Sequence, residues 1–432
     1  MSPLVFFLAA LSALITAWIG DLVRAHAAEP ASPNYQLEEI IDLALERNPA
    51  VLGAEGFVQQ NRGSQISAGA YPNPSITGNG GRGVLRETGK LAPTAVVEPA
   101  PTALTEYNGT VAQPLEWPAK RAARMRAADA GLAGADAGLL ETRLNLVADV
   151  KIAFYELLLA QRDLELAGQN LTVVKDVQRI VKARVRLGEA PQFEAIKAEV
   201  EVLKANQAVT RAENTVRVTR VVLDTLTAGA LGTDYTIRGD FDKFRRDLAL
   251  EALITRALGE HPAIRRLDRL VERADYTLEF ERQARVPNVT VNGNYVREVG
   301  REAFLAGVSV PTPIWYQRQG EIAAALGAKR QEEASLLRAR NILLKEVNQY
   351  FQEAQTTANL IDVFEKGLLK QAQEALRIAQ FSFQQGESSL LEVLDAQRVQ
   401  RQILVDYAHA RFDLSRALAR LERAVGGPLS KG

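Results

Sequence analysis

Few side chains in this sequence are of the types, and at the spacings, that catalysis or metal binding requires. The chain contains no cysteine and only three histidines, His26, His261 and His409, which lie far apart. This pattern excludes disulfides, thiolate zinc sites and histidine clusters, and no nucleophile elbow or Walker loop occurs. The glycine-rich run Gly78–Gly81 could suggest phosphate binding, but a proline-rich loop follows it instead of a helix, which favours a turn. We therefore expect no enzyme activity, no cofactor and no metal site.

The charge balance excludes one class of partner. The 432 residues include 52 Lys and Arg and 52 Asp and Glu, so the formal net charge is zero. Because a nucleic-acid-binding protein needs a basic surface, no nucleic-acid partner is expected. Aromatic residues make up only 6% of the chain, while Ala, Leu, Arg and Glu are among its commonest residues. That composition favours long helices over a thick globular core.

The N-terminal segment has the pattern of a cleaved export signal. Leu4–Ile19 is almost entirely apolar, and Ala25-His26-Ala27 fits the small-x-small pattern before a cleavage site. No Lys or Arg precedes the apolar run, and a single membrane anchor is the alternative, although the run is short for a bilayer span. We predict a signal peptide over residues 1–27 and, because cysteine is absent, no N-terminal lipid.

The mature chain consists of two related halves. Residues 37–80 align with 250–293 at an offset of about 213, and beyond the first strands the offset falls to about 197. The anchors of the alignment include Asn48-Pro49-Ala50 with His261-Pro262-Ala263, Arg121 with Arg318, and Gly188-Glu189 with Gly386-Glu387. The sequence thus predicts a first repeat over 28–240 and a second over 241–432.

Each repeat has the same predicted elements. A helical stretch (35–69 and 248–285) leads to a strand pair (71–116 and 286–313), then to a very long helix (119–187 and 318–385). A glycine turn near 188 or 386 and a returning helix (191–228 and 388–425) follow. Apolar residues spaced by three and four indicate coiled-coil packing of the long helices. In the strands, Val289, Val291 and Tyr295 alternate with polar residues, which is typical of a wall with one face in lipid and one in water.

The number of strands predicts an oligomer. Four strands per chain cannot close a barrel across a bilayer, where an open sheet edge is not tolerated. Two copies would give eight strands, whose side chains fill the interior, whereas three copies would give twelve and leave room for a conduit. We therefore expect a trimer.

Almost the whole mature chain resembles the TolC-like outer membrane efflux family. The matching pieces are Arg47-Asn48-Pro49-Ala50, Tyr71-Pro72-Asn73-Pro74, Gln113-Pro114-Leu115-Glu116-Trp117 and Ala424-Val425-Gly426-Gly427. The stretch from Gln113 to Arg121 looks most like the heavy-metal branch, the outer membrane components of cobalt–zinc–cadmium type exporters. The implied fold is mainly α with a small β part. Four strands per chain would join a twelve-stranded trimeric outer membrane barrel, continued by a long periplasmic α-helical barrel.

The resemblance also implies a function and partners. The chain would be the outer membrane channel of a tripartite efflux system in a Gram-negative bacterium. As a passive conduit, it would contact outer membrane lipid, a periplasmic adaptor and an inner-membrane RND-type pump. Heavy-metal cations are the expected cargo, with drugs, other small molecules or type I secretion as alternatives. A soluble periplasmic adaptor or a structural coiled coil is more remote, because an adaptor carries one helical hairpin and far more strand.

Family residues carry over to the two hairpin turns. Leu187-Gly188-Glu189 and Gln385-Gly386-Glu387 correspond to the grooves where adaptor hairpins dock. Some family members latch the aperture with an arginine where Ser388 stands here, and Phe383 replaces a tyrosine. These two departures argue against that latch in this chain.

The resemblance places the channel aperture just after the second turn. Glu392 and Asp395 match two carboxylates that ring the aperture, and three copies would favour cations. Glu194 is the first-repeat counterpart, and Lys197 replaces the second acid. The alternative is that these are solvated residues after a helix start, where acids are favoured in any case.

Overall fold

The computed structural model describes residues 33–84, 103–244, 248–298 and 301–429. The predicted signal peptide, 1–27, and most of the irregular segment between the first two strands lie outside these residues. The described part covers the strands, the long helices and both hairpin turns.

The elements of the two repeats follow the predicted order. The first repeat comprises β1 (Asn34–Tyr35), α1 (Leu37–Arg47), α2 (Pro49–Gly69), β2 (Ser75–Val84), β3 (Ala103–Leu115), α3 (Pro118–Arg186), α4 (Gln192–Leu226) and β4 (Thr236–Ile237). The second comprises α5 (Leu250–Glu260), α6 (Pro262–Gln283), β5 (Val289–Glu298), β6 (Arg301–Ser309), α7 (Gln319–Val363), a π-helical turn (Phe364–Leu368), α8 (Leu369–Gln385) and α9 (Leu390–Val425). Among the described residues, no helix has both the length and the apolar composition needed to cross a bilayer.

The helical stretch at the start of each repeat is divided into two helices. The breaks fall at Asn48 and His261, whose backbones are extended, with ψ of 127° and 129°. Both residues precede a proline, and its ring disfavours the helical region for the residue before it. The proline is the first residue of the next helix. A backbone N–H at that position would have no partner within the helix, so the lack of an N–H in proline costs no hydrogen bond.

The four longer strands form one antiparallel sheet in the order β2-β3-β5-β6. The strand pairs of the two repeats meet where β3 pairs with β5; there Val111 lies opposite Gly293. This order leaves β2 and β6 at the two edges. The short strands β1 and β4 form a separate parallel pair.

The glycine-rich run Gly78–Gly81 lies inside β2, so its interpretation as a turn is wrong. Strand, and not helix, follows the run as far as Val84, where the described residues of this segment end. Gly80 pairs with Tyr107, and a β-carbon on Gly80 would stand 3.4 Å from the Tyr107 ring. An aromatic ring across from a glycine covers the strand where the glycine offers no side chain to pack.

The described chain forms two compact units. One takes in the chain up to Asn48, Asp149–Lys243 and Asn359–Arg416, and the other takes in Pro49–Ala148, Phe244–Ala358 and the chain from Ala417. Each unit contains parts of both repeats. The core of the first lies beneath the hairpin turns and includes Val177, Val181, Ala195, Ala198, Phe383, Leu390 and Val393. The core of the second includes Leu253, Ala257, Ile264, Leu343, Val347, Phe351, Leu421, Ala424 and Val425.

The π-helical turn absorbs a one-residue difference between the repeats. Buried residues of α3 and α7 match at an offset of 197, as in Val150 with Val347, Phe154 with Phe351 and Leu157 with Ala354. Further along, they match at an offset of 198, as in Leu166 with Phe364 and Val174 with Ala372. The second repeat therefore has one extra residue after Ala354. A π-helical turn accommodates such an insertion, since its bonds run from i to i+5, and the buried positions stay aligned on both sides.

Candidate pore wall and hairpin turns

One face of the sheet is apolar over most of its length; Gln113 also lies on it, and Arg82, Arg297 and Glu302 lie on it at one end. The register places on this face the residues Ile76, Gly78, Gly80, Tyr107, Gly109, Val111, Leu115, Val289, Val291, Gly293, Tyr295, Phe304, Ala306 and Val308. The rings of Tyr295 and Phe304 lie 5.0 Å apart on it, and Phe304 is 85% exposed. The predicted alternation is thus confirmed, and a wide, solvent-exposed apolar surface of this kind marks an interaction site.

The opposite face is polar and, over most of its length, uncharged. Its cross-strand rows are Ser75–Ala112–Asn292–Gly307, Thr77–Thr110–Asn294–Leu305 and Asn79–Asn108–Val296–Ala303. The ionisable residues of this face are Glu106, Glu298 and Arg301, and they lie beyond these rows at one end of the sheet. Amide and hydroxyl groups can replace the hydrogen bonds of water without drawing ions of either sign. This face therefore suits a wet, neutral surface.

Both hairpin turns end their long helix in the same way. The N–H of Glu189 donates to the Arg184 carbonyl at 2.9 Å, and the N–H of Glu387 donates to the Ser382 carbonyl at 2.9 Å. Gly188 and Gly386, at φ +78° and +83°, occupy the left-handed position of this Schellman motif. A glycine takes that conformation at no steric cost, which explains its presence in both repeats.

The residues predicted to dock an adaptor are all exposed. They are Leu187, Gly188, Glu189, Gln385, Gly386 and Glu387. Leu187 is 73% exposed, a high value for a leucine at the end of a long helix. The turns thus present an apolar side chain, two acids and bare backbone.

The apolar core beneath the turns brings the two hairpins together. It joins Ala195 and Ala198 of α4 to Leu390 and Val393 of α9, so the starts of the two returning helices lie side by side. Phe383 is buried in this core, and the Arg184 guanidinium lies 5.2 Å from its ring centre. The Ser388 hydroxyl donates to the Ala379 carbonyl of its own hairpin at 3.3 Å. This bond of Ser388 therefore stays within one hairpin and does not link the two hairpins.

The predicted aperture carboxylates have local partners at the start of α9. The Ser389 hydroxyl donates to Glu392 Oε1 at 3.1 Å and accepts from the Glu392 N–H at 3.4 Å, as expected for a residue that caps a helix. Asp395 forms an exposed ion pair with Arg398 on the next turn. Glu194 is half-buried in the first turn of α4. Helix capping accounts for Glu392 locally, and the aperture role of these acids stays a prediction.

The two described histidines serve structural contacts. The Nε2 of His261 lies 3.0 Å from the Arg423 carbonyl, while Nδ1 accepts from the Ala263 N–H at 3.1 Å. Burial lowers the pKa of His261. His409 Nε2 lies 3.5 Å from Asp163 Oδ2, and burial raises the pKa of Asp163 despite this neighbour. Among the described residues, no cluster of three or more His, Asp or Glu side chains could hold a metal ion.

Sequence analysis missed a polar network beside the π-helical turn. The Tyr407 hydroxyl donates to Glu365 Oε1 at 2.8 Å, and Arg411 pairs with Asp240 at 2.8 Å while lying near the Tyr407 ring. Burial, with the bond to Glu365 as a second cause, raises the pKa of Tyr407. The change of repeat offset from 197 to 198 is the sequence signal that marks this place.

Comparisons with known proteins agree with this geometry. A family model described as "Outer membrane efflux protein" matches residues 40–229 and 253–427. The cobalt-zinc-cadmium resistance protein CzcC of Cupriavidus metallidurans is 24% identical over 94% of this chain and 93% of its own. The pyoverdine export outer membrane protein OpmQ of Pseudomonas aeruginosa is 22% identical over 90% of this chain and 84% of its own. The crystal structure of the Campylobacter jejuni CmeC outer membrane channel superposes with a TM-score of 0.78 at 15% identity, covering 92% of this chain and 87% of that one.

Proposed function

The chain belongs to the outer membrane efflux protein family, and on that premise we propose that it is the outer membrane component of a tripartite efflux system. Members of this family are passive channels of the Gram-negative outer membrane and not enzymes. The observation that carries the proposal is the sheet, which has one apolar face, one neutral polar face and two open edges.

Three copies of the chain form the channel. The edges β2 and β6 carry backbone groups without partners in the described sheet, and lipid offers none. Pairing β2 of one copy with β6 of the next gives twelve strands around a threefold axis. The apolar face then contacts lipid, and the rows of Asn, Thr and Ser face the water-filled lumen.

The hairpin turns meet the partners. A periplasmic adaptor docks on the exposed turns at Leu187–Glu189 and Gln385–Glu387, and an RND-type pump in the inner membrane supplies the energy. The matching Schellman geometry of the two turns supports this role, because it presents two similar slim ends per chain. Beside them, Glu392, Asp395 and Glu194 line the aperture in each copy.

Heavy-metal cations are the cargo. The support is the match over nearly the full length to CzcC, a protein named for cobalt, zinc and cadmium resistance. The second candidate is a small molecule, favoured by the similar match to a protein named for pyoverdine export. Metal sensitivity after deletion of the gene, measured against drug and siderophore export in the same strain, separates the two.

The experiment that tests the channel combines assembly and conductance. Purified protein cross-linked in detergent should give a three-chain species, and the same preparation should insert into planar bilayers with discrete conductance steps. A folded monomer or dimer without conductance would contradict the proposal. A soluble protein that never enters the membrane fraction would instead favour the adaptor alternative.

A further inference from the structure

We propose that Asp163 of α3 and His409 of α9 form a binding site for one divalent transition-metal ion, which ties the two helices together. Both residues belong to the same compact unit, although they lie far apart in the sequence. Zinc, cobalt, nickel and copper are the ions whose ligand preferences fit an imidazole and a carboxylate, with water at the remaining positions. The site does not depend on the proposed function, because both ligands belong to one chain.

The separation of the two side chains suits a bridging metal ion better than a direct hydrogen bond. His409 Nε2 lies 3.5 Å from Asp163 Oδ2, whereas an N–H···O bond usually spans about 2.7–3.2 Å. Two ligand atoms bound at about 2.0–2.1 Å to a tetrahedral zinc ion lie about 3.3 Å from each other. The imidazole and the carboxylate therefore lie at nearly the distance at which one ion binds both.

The Asp163 carboxylate lacks the partners that a buried charge needs. Its Oδ1 is buried and accepts no hydrogen bond from the described residues. Burial raises the pKa of Asp163, although the charge of His409 acts in the opposite direction. A buried carboxylate is stable in its charged form only when it is paired with a cation or bound to a metal. A divalent ion at this carboxylate supplies the charge that the imidazole alone does not.

The neighbouring arginines are engaged with other acids. Arg162 precedes the carboxylate ligand in α3 and pairs with Glu165. Arg411 lies two residues after the imidazole ligand in α9 and pairs with Asp240 at 2.8 Å. Each of these cations therefore already has an anionic partner, and the place beside the carboxylate is left to a cation from solution.

Water reaches both proposed ligands. The His409 side chain is 50% exposed and the Asp163 side chain 31%. An ion can thus enter from solution and keep water at its other coordination positions. His261 does not compete for the metal, because its Nδ1 accepts from the Ala263 N–H and its Nε2 contacts the Arg423 carbonyl.

The repeat shows that the common scaffold does not require this pair. At the offset of 198, His409 corresponds to Arg211. Asp163 corresponds to Leu360 or Ile361, depending on where the inserted residue is placed, and both are apolar. The two halves of the chain thus form the same helices with and without an acid and a histidine here, which favours a role beyond packing.

The low histidine content allows a direct test. When the predicted signal peptide has removed His26, two histidines remain, His261 and His409. The full mature chain, purified in detergent without a polyhistidine tag, is given one equivalent of Cu²⁺, which nitrogen and oxygen ligands bind more tightly than they bind Zn²⁺. Electron spin echo envelope modulation then detects the remote nitrogen of a copper-bound imidazole. Zinc affinity is measured on the same preparation by isothermal titration calorimetry.

We expect the signal of one bound imidazole in the wild type, its loss in His409→Gln and its persistence in His261→Asn. Zinc binding should be lost in Asp163→Asn and in His409→Gln, and the second variant should fold because the position is half-exposed. Asp413→Asn is the matched control, since it removes an acid of α9 that pairs with Arg416, and it should bind zinc as the wild type does.

A simple ion pair between the two residues makes different predictions. It requires that Asp163→Asn lower the midpoint of thermal unfolding without metal and that zinc shift wild type and variant equally, and this result would overturn the proposal. An imidazole signal that survives in His409→Gln would overturn it too. Equal losses of zinc affinity in Asp413→Asn and Asp163→Asn would also count against the site, because surface charge in general would then explain the binding.

Discussion

His261 Nε2 and the Arg423 carbonyl are joined at 3.0 Å, and the first repeat repeats this relationship between Asn48 Nδ2 and the Leu226 carbonyl at 2.8 Å. Both side chains stand just before a helix-starting proline. Both carbonyls belong to the last turn of a returning helix, where backbone acceptors lack partners within the helix. Two different side chains therefore do the same task in the two halves.

His261 should make stability depend on pH. Burial lowers its pKa, and Nδ1 must stay unprotonated to accept from the Ala263 N–H. Because the folded pKa lies below the ordinary value of about 6.5, the unfolded chain takes up the proton first. The stabilisation is complete above that ordinary value and is lost as the pH falls through the folded pKa. The midpoint of thermal unfolding, measured from pH 7.5 to pH 5, should fall at the acid end.

His261→Asn is the matched control, because asparagine already performs this role at position 48. It should fold and show a smaller loss of midpoint at acid pH, with His409 present in both proteins. His261→Ala removes the bond to the Arg423 carbonyl, which keeps only its bond from the Gly426 N–H, and should cost about 1 kcal/mol at neutral pH. Equal pH profiles for wild type and His261→Asn would contradict the role of His261.

Ala228 occupies a position that its repeat counterpart fills with glycine. Its φ is +55°, and its N–H donates to the Thr225 carbonyl at 3.2 Å, just as Gly426 donates to the Arg423 carbonyl at 3.1 Å. The left-handed conformation costs a residue with a β-carbon about 1 kcal/mol. Ala228→Gly should therefore raise the free energy of unfolding by about that amount. Ala212→Gly, inside α4, should lower it by about 1 kcal/mol, and a loss of stability in both variants would refute the argument.

Deletion of one residue should be tolerated at the π-helical turn of the second repeat. The same deletion should not be tolerated at the corresponding part of α3 in the first repeat. Removal of Gly367 turns the π-helical turn into ordinary α-helix and keeps the buried residues on both sides aligned. Removal of Gly168 from the uninterrupted helix α3 rotates everything beyond it by about 100°, because α3 has no extra residue to lose. Trimer yield and melting midpoint should stay close to wild type in the first deletion and collapse in the second. Similar losses in both would show that the π-helical turn does not absorb the insertion.

The aperture carboxylates should control ion selectivity. Glu392→Gln with Asp395→Asn removes the charges but keeps side-chain shape, and glutamine can still serve at the third position of a capping box. The reversal potential in a salt gradient across a planar bilayer should move toward zero, and Lys197→Ala should move it the other way. Ser389→Ala breaks the capping bond without changing charge, so its reversal potential should equal that of wild type. An unchanged potential in the double variant would place the acids away from the constriction.

The exposed turns should be needed for efflux but not for assembly. Leu187→Asp and Glu387→Lys change the chemistry of the turns and leave the Schellman backbone bonds in place. We expect both to abolish efflux in cells while trimer yield and conductance persist. Gly386→Asn should keep the turn folded, because asparagine tolerates a φ of +83°, but it adds a side chain at a docking residue and should lower efflux as well. Normal efflux in the first two variants would rule out docking at these turns.

Local periodicity determined much of this protein from its sequence alone. The long helices, the alternating strands and the glycine turns depend on residues within one or two turns of each other, and the repeat appears when the two halves of the sequence are aligned. The offset between the repeats is 197 at Arg121–Arg318 and 198 at Gly188–Gly386, and this change indicates the inserted residue. The family resemblance rested on the same local motifs.

Tertiary structure decided which distant groups satisfy one another. The placement of Gly78–Gly81 within a strand depends on pairing with β3, including the contact of Gly80 with Tyr107, and no local pattern encodes that partner. The bonds from Asn48 and His261 to the ends of returning helices link residues more than 150 positions apart. The partners of Glu392 and Asp395 depend on side-chain direction at a helix start. How the elements pack decides which backbone groups are left without a local partner and which spaces stay open beside them. The sequence alone therefore could not show which distant side chain meets each of these groups.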